Sequence, residues 1–216
     1  MRKRDLYNRC SSWFSQAYPK AETELHFSSP YELLVAVILS AQCTDRRVNM
    51  VTPALFKAFP TVQDMAGAEA AQILPYIGSI SYPNSKAAHL AEMAKQVTSR
   101  FGGEIPHDMD DLQSLPGVGR KTANVMTAVA FGGQAMPVDT HVFRVSHRIG
   151  LVPDSCTTPL SVERELVKYF PEDCLSTAHH WLILHGRYVC TAKNPKCAGC
   201  GLTEVCRYYS KSFVER

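Results

Sequence analysis

The sequence predicts an all-α protein, and three observations carry that expectation. Apolar residues recur at steps of three and four along most of the chain. Helix start and stop signals bracket those stretches, with Ser, Thr or Asp ahead of them and Gly or Gly-Gly behind. No segment alternates apolar and polar residues convincingly, and no Asn-Gly turn marks a hairpin.

The elements follow in order. Leu6, Cys10, Trp13, Phe14 and Ala17 form one apolar face of a first helix. In "SPYELLVAVILSAQ", Ser29 is a cap, Pro30 takes the first helical position and Glu32 has capping-box spacing. The aliphatic run behind it predicts a central, buried helix. "TDRRVNMVTPALFKAF" predicts the next, with Pro53 as a candidate kink. Thr61 and Asp64 have capping-box spacing before a short helix, and another runs from Glu69 to Ile77. Ala87, Leu90, Ala94, Val97 and Phe101 make one stripe that Gly102-Gly103 ends. "DMDDLQSL" is a short helix with acids in its first turn. Helices are then expected over Arg120 to Phe131, after the Asp139 cap, and in "TPLSVERELVKYF" and "DCLSTAHHWLILHGRYVC".

Composition excludes several classes. With 216 residues, 45% hydrophobic and 20% charged, the chain has the make-up of a globular protein. Its longest aliphatic run, Leu33 to Leu39, is seven residues and cannot span a bilayer. The N-terminus is basic, then polar, without the apolar core of a secretory signal, so no membrane partner and a cytoplasmic, nucleoid-associated location are expected. The net charge of +3 names no partner. From Cys174 onward, however, six Lys and Arg face two Glu, a local excess that suits an anionic partner as well as a solvated tail.

Four segments carry chemistry. In "DLQSLPGVGRKTANVM", two helices flank a Leu115-Pro-Gly117-Val118-Gly119 turn. The glycines permit backbone angles a side chain would forbid and remove Cβ atoms that would obstruct a ligand. Exposed amides in front of a helix N-terminus make a nest for an anion, with phosphate as the natural candidate. Arg120 and Lys121 then put two cations where a helix end already carries positive potential. That potential disfavours an ammonium, and partial burial would add to the effect. Lys121 is therefore a candidate nucleophile able to form a Schiff base, although a solvated lysine contacting phosphate is the commoner role of any single lysine.

Asp139 in "PVDTHVFRV" is first an N-cap, worth about 1 kcal/mol. It lies eighteen residues after Lys121, with one helix and a Gly-Gly turn between. The chain can fold back so that its carboxylate moves protons and offsets positive charge near the amine. Finally, Cys190, Cys197, Cys200 and Cys206 follow the pattern C-x6-C-x2-C-x5-C. Four thiolates on one loop suit zinc or a [4Fe-4S] cluster, and the long asymmetric arms suit the cubane better. Lys193 and Lys196 in the first arm are placed for phosphate or simply keep the loop soluble.

These residues, in this order, resemble the endonuclease III branch of the helix-hairpin-helix DNA glycosylase superfamily. "SPYELLVAVILSAQCTD", "LPGVGRKTANV", "VDTHVFRV", "HWLILHGR" and the cysteine loop carry the resemblance over nearly the whole chain. It implies a six-helix barrel over residues 23–133. A second domain is built from residues 1–22 and 134–216 and holds the cluster loop, with the helix-hairpin-helix at the DNA cleft. It implies a monomeric DNA glycosylase and AP lyase acting on double-stranded DNA that contains oxidised pyrimidines or abasic sites. Lys121 matches the nucleophile, Asp139 the essential aspartate, and the four cysteines the ligands of a [4Fe-4S] cluster. Leu115, Gly117, Val118, Gly119, Arg120, Thr140, His141, Lys193 and Lys196 fall on DNA-binding segments. Gln42 matches a residue that fills the space left by the extruded nucleotide.

One stretch departs from the family pattern. Gly, a bulky apolar residue, Tyr and Asn are usual before "SKA", where this chain has Ser81, Tyr82, Pro83 and Asn84. Tyr82 then stands at the position of the wedge that enters the duplex. Two rival readings remain. An adenine-mismatch glycosylase would share the hairpin, aspartate and cluster but lack Lys121. A non-catalytic DNA-binding module would need neither Lys121 nor Asp139.

Overall fold

The computed structural model describes residues 1–214; residues 215 and 216, the end of the second expected domain, lie outside the described residues. Every regular element among the described residues is helical. The chain divides into two compact units, Glu24–Gly133 and the combination of Met1–Thr23 with Gln134–Arg216.

In the Glu24–Gly133 unit, the central helix is α2 (Pro30–Ser40), buried from Leu33 to Leu39. A helix apolar on all sides must be enclosed by others, and α2 is, by α3 (Asp45–Ala58), α6 (Pro83–Phe101) and α8 (Arg120–Val125). The short helices α4 (Val62–Ala66) and α5 (Ala70–Ile77) pack on α6, and α7 (Met109–Ser114) packs on α8. Thr61 and Asp64 form the expected capping box, the Thr61 hydroxyl accepting the Asp64 amide and the Asp64 carboxylate accepting the Thr61 amide. At α2 the box is displaced. Ser29 caps the Glu32 amide, but the Glu32 carboxylate reaches the amide and hydroxyl of Ser28 instead.

The helix expected over Arg120–Phe131 is regular only to Val125 and then widens into a π-turn over Met126–Ala130. The Thr127 hydroxyl donates to the Ala123 carbonyl at 3.1 Å, a back-bond that competes with the helical ladder. The Gly133 amide reaches the Thr127 carbonyl at 2.8 Å. A Cβ at Gly133 would stand 2.6 Å from the Thr127 methyl, so only glycine closes the turn this way.

In the other unit, α1 (Lys3–Ala17), α9 (Thr140–Ile149), α10 (Pro159–Leu166) and α11 (Leu175–Tyr188) enclose a second core that includes Phe14, Val142, Val145, Leu166 and Leu182. The cysteine loop follows α11, and a one-turn helix, α12 (Arg207–Tyr209), follows its last cysteine. Among the described residues no helix is long and apolar enough to cross a membrane.

Candidate functional site

The Leu115–Gly119 turn joins α7 to α8. Gly117 has φ +79°, the left-handed region expected of it, and a Cβ there would come within 3.2 Å of the His89 Cβ on α6. Gly119 is different. Its φ of −91° is open to any residue, and nothing lies within 4 Å of where its Cβ would point. Glycine there keeps space clear; it does not permit a special backbone angle. Gly119 is also the N-cap of α8, and no side chain caps that helix.

One expectation for the hairpin, the burial of Lys121, is corrected. Leu115 and Val118 are 2% and 6% exposed, packed in the core with Leu112 and Ala123. Their side chains anchor the turn, and the Val118 amide donates to the Leu115 carbonyl at 3.1 Å. Lys121 is exposed, so the partial burial expected of it is absent. Arg120 is exposed beside it.

Asp139 caps α9, its Oδ1 accepting the amides of His141 and Val142, each at 2.8 Å. Both cap bonds fall on one oxygen, so the cap does not engage Oδ2. Thr140 is exposed and His141 half-buried. The Arg144 Nη2 donates to His141 Nδ1 at 3.1 Å. A guanidinium only donates, so His141 Nδ1 accepts in this contact. Burial first, then Arg144 and Arg187, hold His141 below the ordinary histidine range, against the pull of Asp139. Arg144 also donates to the Gly186 carbonyl at 2.8 Å. A Cβ at Gly186 would lie 2.8 Å from the His141 Cβ, which is how α9 and α11 cross so closely.

Gln42 and Tyr82 are both exposed and both left-handed, with φ +54° and +57°. For a residue with a Cβ this conformation costs about 1 kcal/mol or more. The Ser81 hydroxyl donates to the Gln42 carbonyl at 2.8 Å, tying the two loops together. Beneath them is Lys86, buried on α6, whose ammonium donates to the Leu39 and Ala41 carbonyls at 2.8 and 2.6 Å. Burial holds it below the ordinary lysine range, with Cys43 acting in the opposite sense. The sequence carried a signal for it, since Lys86 lies four residues before Leu90 on the apolar stripe of α6.

The four loop cysteines line one small cavity, together with Ile149, His185 and Leu202. Among the described residues, no three His, Cys, Asp or Glu side chains converge closely enough to hold a metal ion. Sulfurs spread around a cavity fit a cluster of several atoms better than one tetrahedral ion. Burial pushes the Cys197, Cys200 and Cys206 thiols up. Their ionisation therefore needs positive charge at the cavity centre, which the iron of a bound cluster would supply.

The polar groups around this cavity were not foreseen. His185 lies with Nε2 3.7 Å from the Cys200 Sγ and Nδ1 3.2 Å from the Tyr18 hydroxyl. Arg148 donates to the Thr191 and Ala192 carbonyls at 2.7 and 3.0 Å and approaches the Cys190 Sγ at 3.5 Å. It thereby pins the arm that presents Lys193 and Lys196, both exposed. His185 follows Trp181 by four residues on a buried helix face, a readable signal; Arg148 left none.

Comparison with known proteins accords with this geometry. The model of the HhH-GPD superfamily of base excision DNA repair proteins matches residues 35–172. The iron-sulfur binding domain of endonuclease III matches residues 190–206, from the first loop cysteine to the last. An endonuclease III of Rickettsia felis is 43% identical over 211 residues, covering 98% of this chain and 98% of that protein. The chain belongs to the endonuclease III family. An endonuclease III of Bacillus subtilis is 45% identical over 200 residues, 92% of this chain and 90% of that one. A solved endonuclease III trapped as a covalent intermediate with DNA superposes with a TM-score of 0.92 at 41% identity, covering 98% of this chain and 99% of that one. As a member of the endonuclease III family, the chain is a base excision repair enzyme, a DNA glycosylase and AP lyase with an iron-sulfur domain.

Proposed function

We propose that this endonuclease III family member excises oxidised pyrimidines from double-stranded DNA through a Schiff base on Lys121 and then cleaves the abasic site by β-elimination. The observation that carries this is Lys121 itself. It is exposed in the first turn of α8, directly behind Gly119, where no side chain caps the helix and nothing lies within 4 Å of where a Gly119 Cβ would point. Phosphate answers the uncapped amides, aided by Arg120 and, on the cysteine loop, by Lys193 and Lys196. Such contacts grip the backbone without reading sequence.

The damaged nucleotide leaves the stack, at a cost of a few kcal/mol that damage itself lowers. Gln42 and Tyr82 take the vacated space, Tyr82 by stacking on the neighbouring bases. Thr140 and His141 contribute hydrogen bonds to the strand. The neutral Lys121 amine then attacks the sugar C1′, and the bond to the base breaks with its electron pair going to the base. Asp139 accepts the proton that the amine loses and offsets positive charge at C1′. The C1′–O4′ bond then breaks, its electron pair and a proton going to O4′, and leaves a protonated imine between C1′ and Lys121; this acidifies the C2′ proton, whose removal expels the 3′ phosphate. Cys190, Cys197, Cys200 and Cys206 hold the [4Fe-4S] cluster, which when bound cross-links the loop at four points. Acting on chromosomal DNA as a monomer, the enzyme belongs in the cytoplasm with the nucleoid.

Borohydride trapping on a duplex with one abasic site tests the assignment. The expected result is a covalent protein–DNA adduct with the native chain and none with Lys121→Ala. No adduct with the native chain would remove the lyase mechanism.

A further inference from the structure

Among the described residues, Lys86 is the one lysine, arginine or acid that is buried, at 5% exposure. Water would satisfy two carbonyls at the end of α2 without taking an ammonium out of solvent. What the buried charge achieves is registration. Its side chain grips Leu39 and Ala41, the latter immediately before Gln42. Its backbone amide donates to the Tyr82 carbonyl at 3.1 Å and so starts α6. The Ser81 hydroxyl closes the circuit on the Gln42 carbonyl. Of the three left-handed residues other than glycine among the described residues, two, Gln42 and Tyr82, are the two that this circuit holds.

We infer that Lys86 is a positioning residue for base extrusion, its ammonium locking the end of α2 to the start of α6 so that Gln42 and Tyr82 stand preformed as one inserting pair. The inference rests on the reading that those two residues enter the duplex. Two separate loops would each have to be ordered on binding, whereas a pair already clamped in its bound conformation avoids that cost. The clamp acts on entry into a base stack and not on the chemistry at Lys121.

Lys86→Met keeps the unbranched stem and removes the ammonium. Single-turnover excision is measured on a duplex with one oxidised pyrimidine beside 2-aminopurine, whose fluorescence reports unstacking. Strand cleavage is measured in parallel on a single-stranded abasic oligonucleotide, which has no duplex stack to enter. Expected is at least a tenfold slowing of the fluorescence rise and of excision in the duplex, with less than a twofold change on the single strand. Equal loss on both substrates would make Lys86 merely structural and overturn the inference, as would an unchanged fluorescence rise. Should Lys86→Met not fold, Ser81→Ala removes only the bond to Gln42; slowing confined to the duplex supports the inference, and no slowing overturns it. Gln42→Ala and Tyr82→Ala separate the two ideas. If they slow extrusion and Lys86→Met does not, the inference alone falls. If they extrude at the native rate, the inserting pair itself is wrong and the inference falls with it.

Discussion

The Asp139 carboxylate holds the His141 amide at 2.8 Å through Oδ1, the same oxygen that takes the Val142 amide. Capping therefore fixes the orientation of the carboxylate while the bonds that do so leave Oδ2 out. Structure and chemistry use different atoms of one side chain. Asn caps as well as Asp does, whereas Ala does not. Asp139→Asn is expected to hold stability to within about 0.5 kcal/mol and Asp139→Ala to lose about 1 kcal/mol. Both should lower base excision by at least a hundredfold, as removal of a general base does. Urea denaturation beside single-turnover excision checks this. Full activity in Asp139→Asn would reduce the residue to a cap.

The two hairpin glycines should respond oppositely to alanine. Gly117→Ala puts a side chain at φ +79° against His89, and a loss of about 1 kcal/mol or more is expected. Gly119→Ala meets no strain and no neighbour, so stability should be kept. Its methyl would stand where phosphate approaches, and binding to undamaged duplex should weaken several-fold. Denaturation curves and fluorescence anisotropy at two salt concentrations separate these outcomes. Unchanged binding by Gly119→Ala would show that DNA does not approach the hairpin there.

The cysteine loop should carry iron. Purified protein is expected to be brown, with about four irons per chain, the stoichiometry of a cubane held by four cysteines. Cys200→Ser should lower the iron content and the melting temperature together. Colourless protein with one zinc per chain by metal analysis would replace the cluster with a single ion.

Acid should destabilise the unit that contains α11. Burial, and then the nearby Arg187, depress His180 to about 4, below the ordinary histidine value near 6.5. Between those two values the unfolded chain binds a proton that the folded chain refuses, so stability falls as pH drops from about 6.5 towards 4. Above that window the group contributes no pH dependence. The loss expected from this one group is on the order of 3 kcal/mol. Denaturation midpoints at pH 7 and pH 4.5 in the native chain and in His180→Gln measure it. The variant should show the shallower decline, and equal slopes would exonerate His180.

Much of this was legible before any coordinates. Helical period, caps and glycine stops are local, and they located the elements because neighbouring residues settle them. The Asp139 cap, the Thr61–Asp64 box and the positive φ of Gly117 all follow from residue types a few positions apart. The cysteine spacing told of one metal-bearing loop for the same reason. What tertiary structure alone decided was which side of each element meets the core. Burial depends on packing partners distant in sequence, and it put the Leu115 and Val118 side chains in the core while leaving Lys121 in solvent. It also decided the π-turn after Val125, since Thr127 chose the Ala123 carbonyl in a setting that Gly133 closes. The grip of Lys86 on carbonyls 45 and 47 positions away has no local cause at all. It exists because an ammonium taken out of water must find acceptors, and only the folded chain brings them within reach.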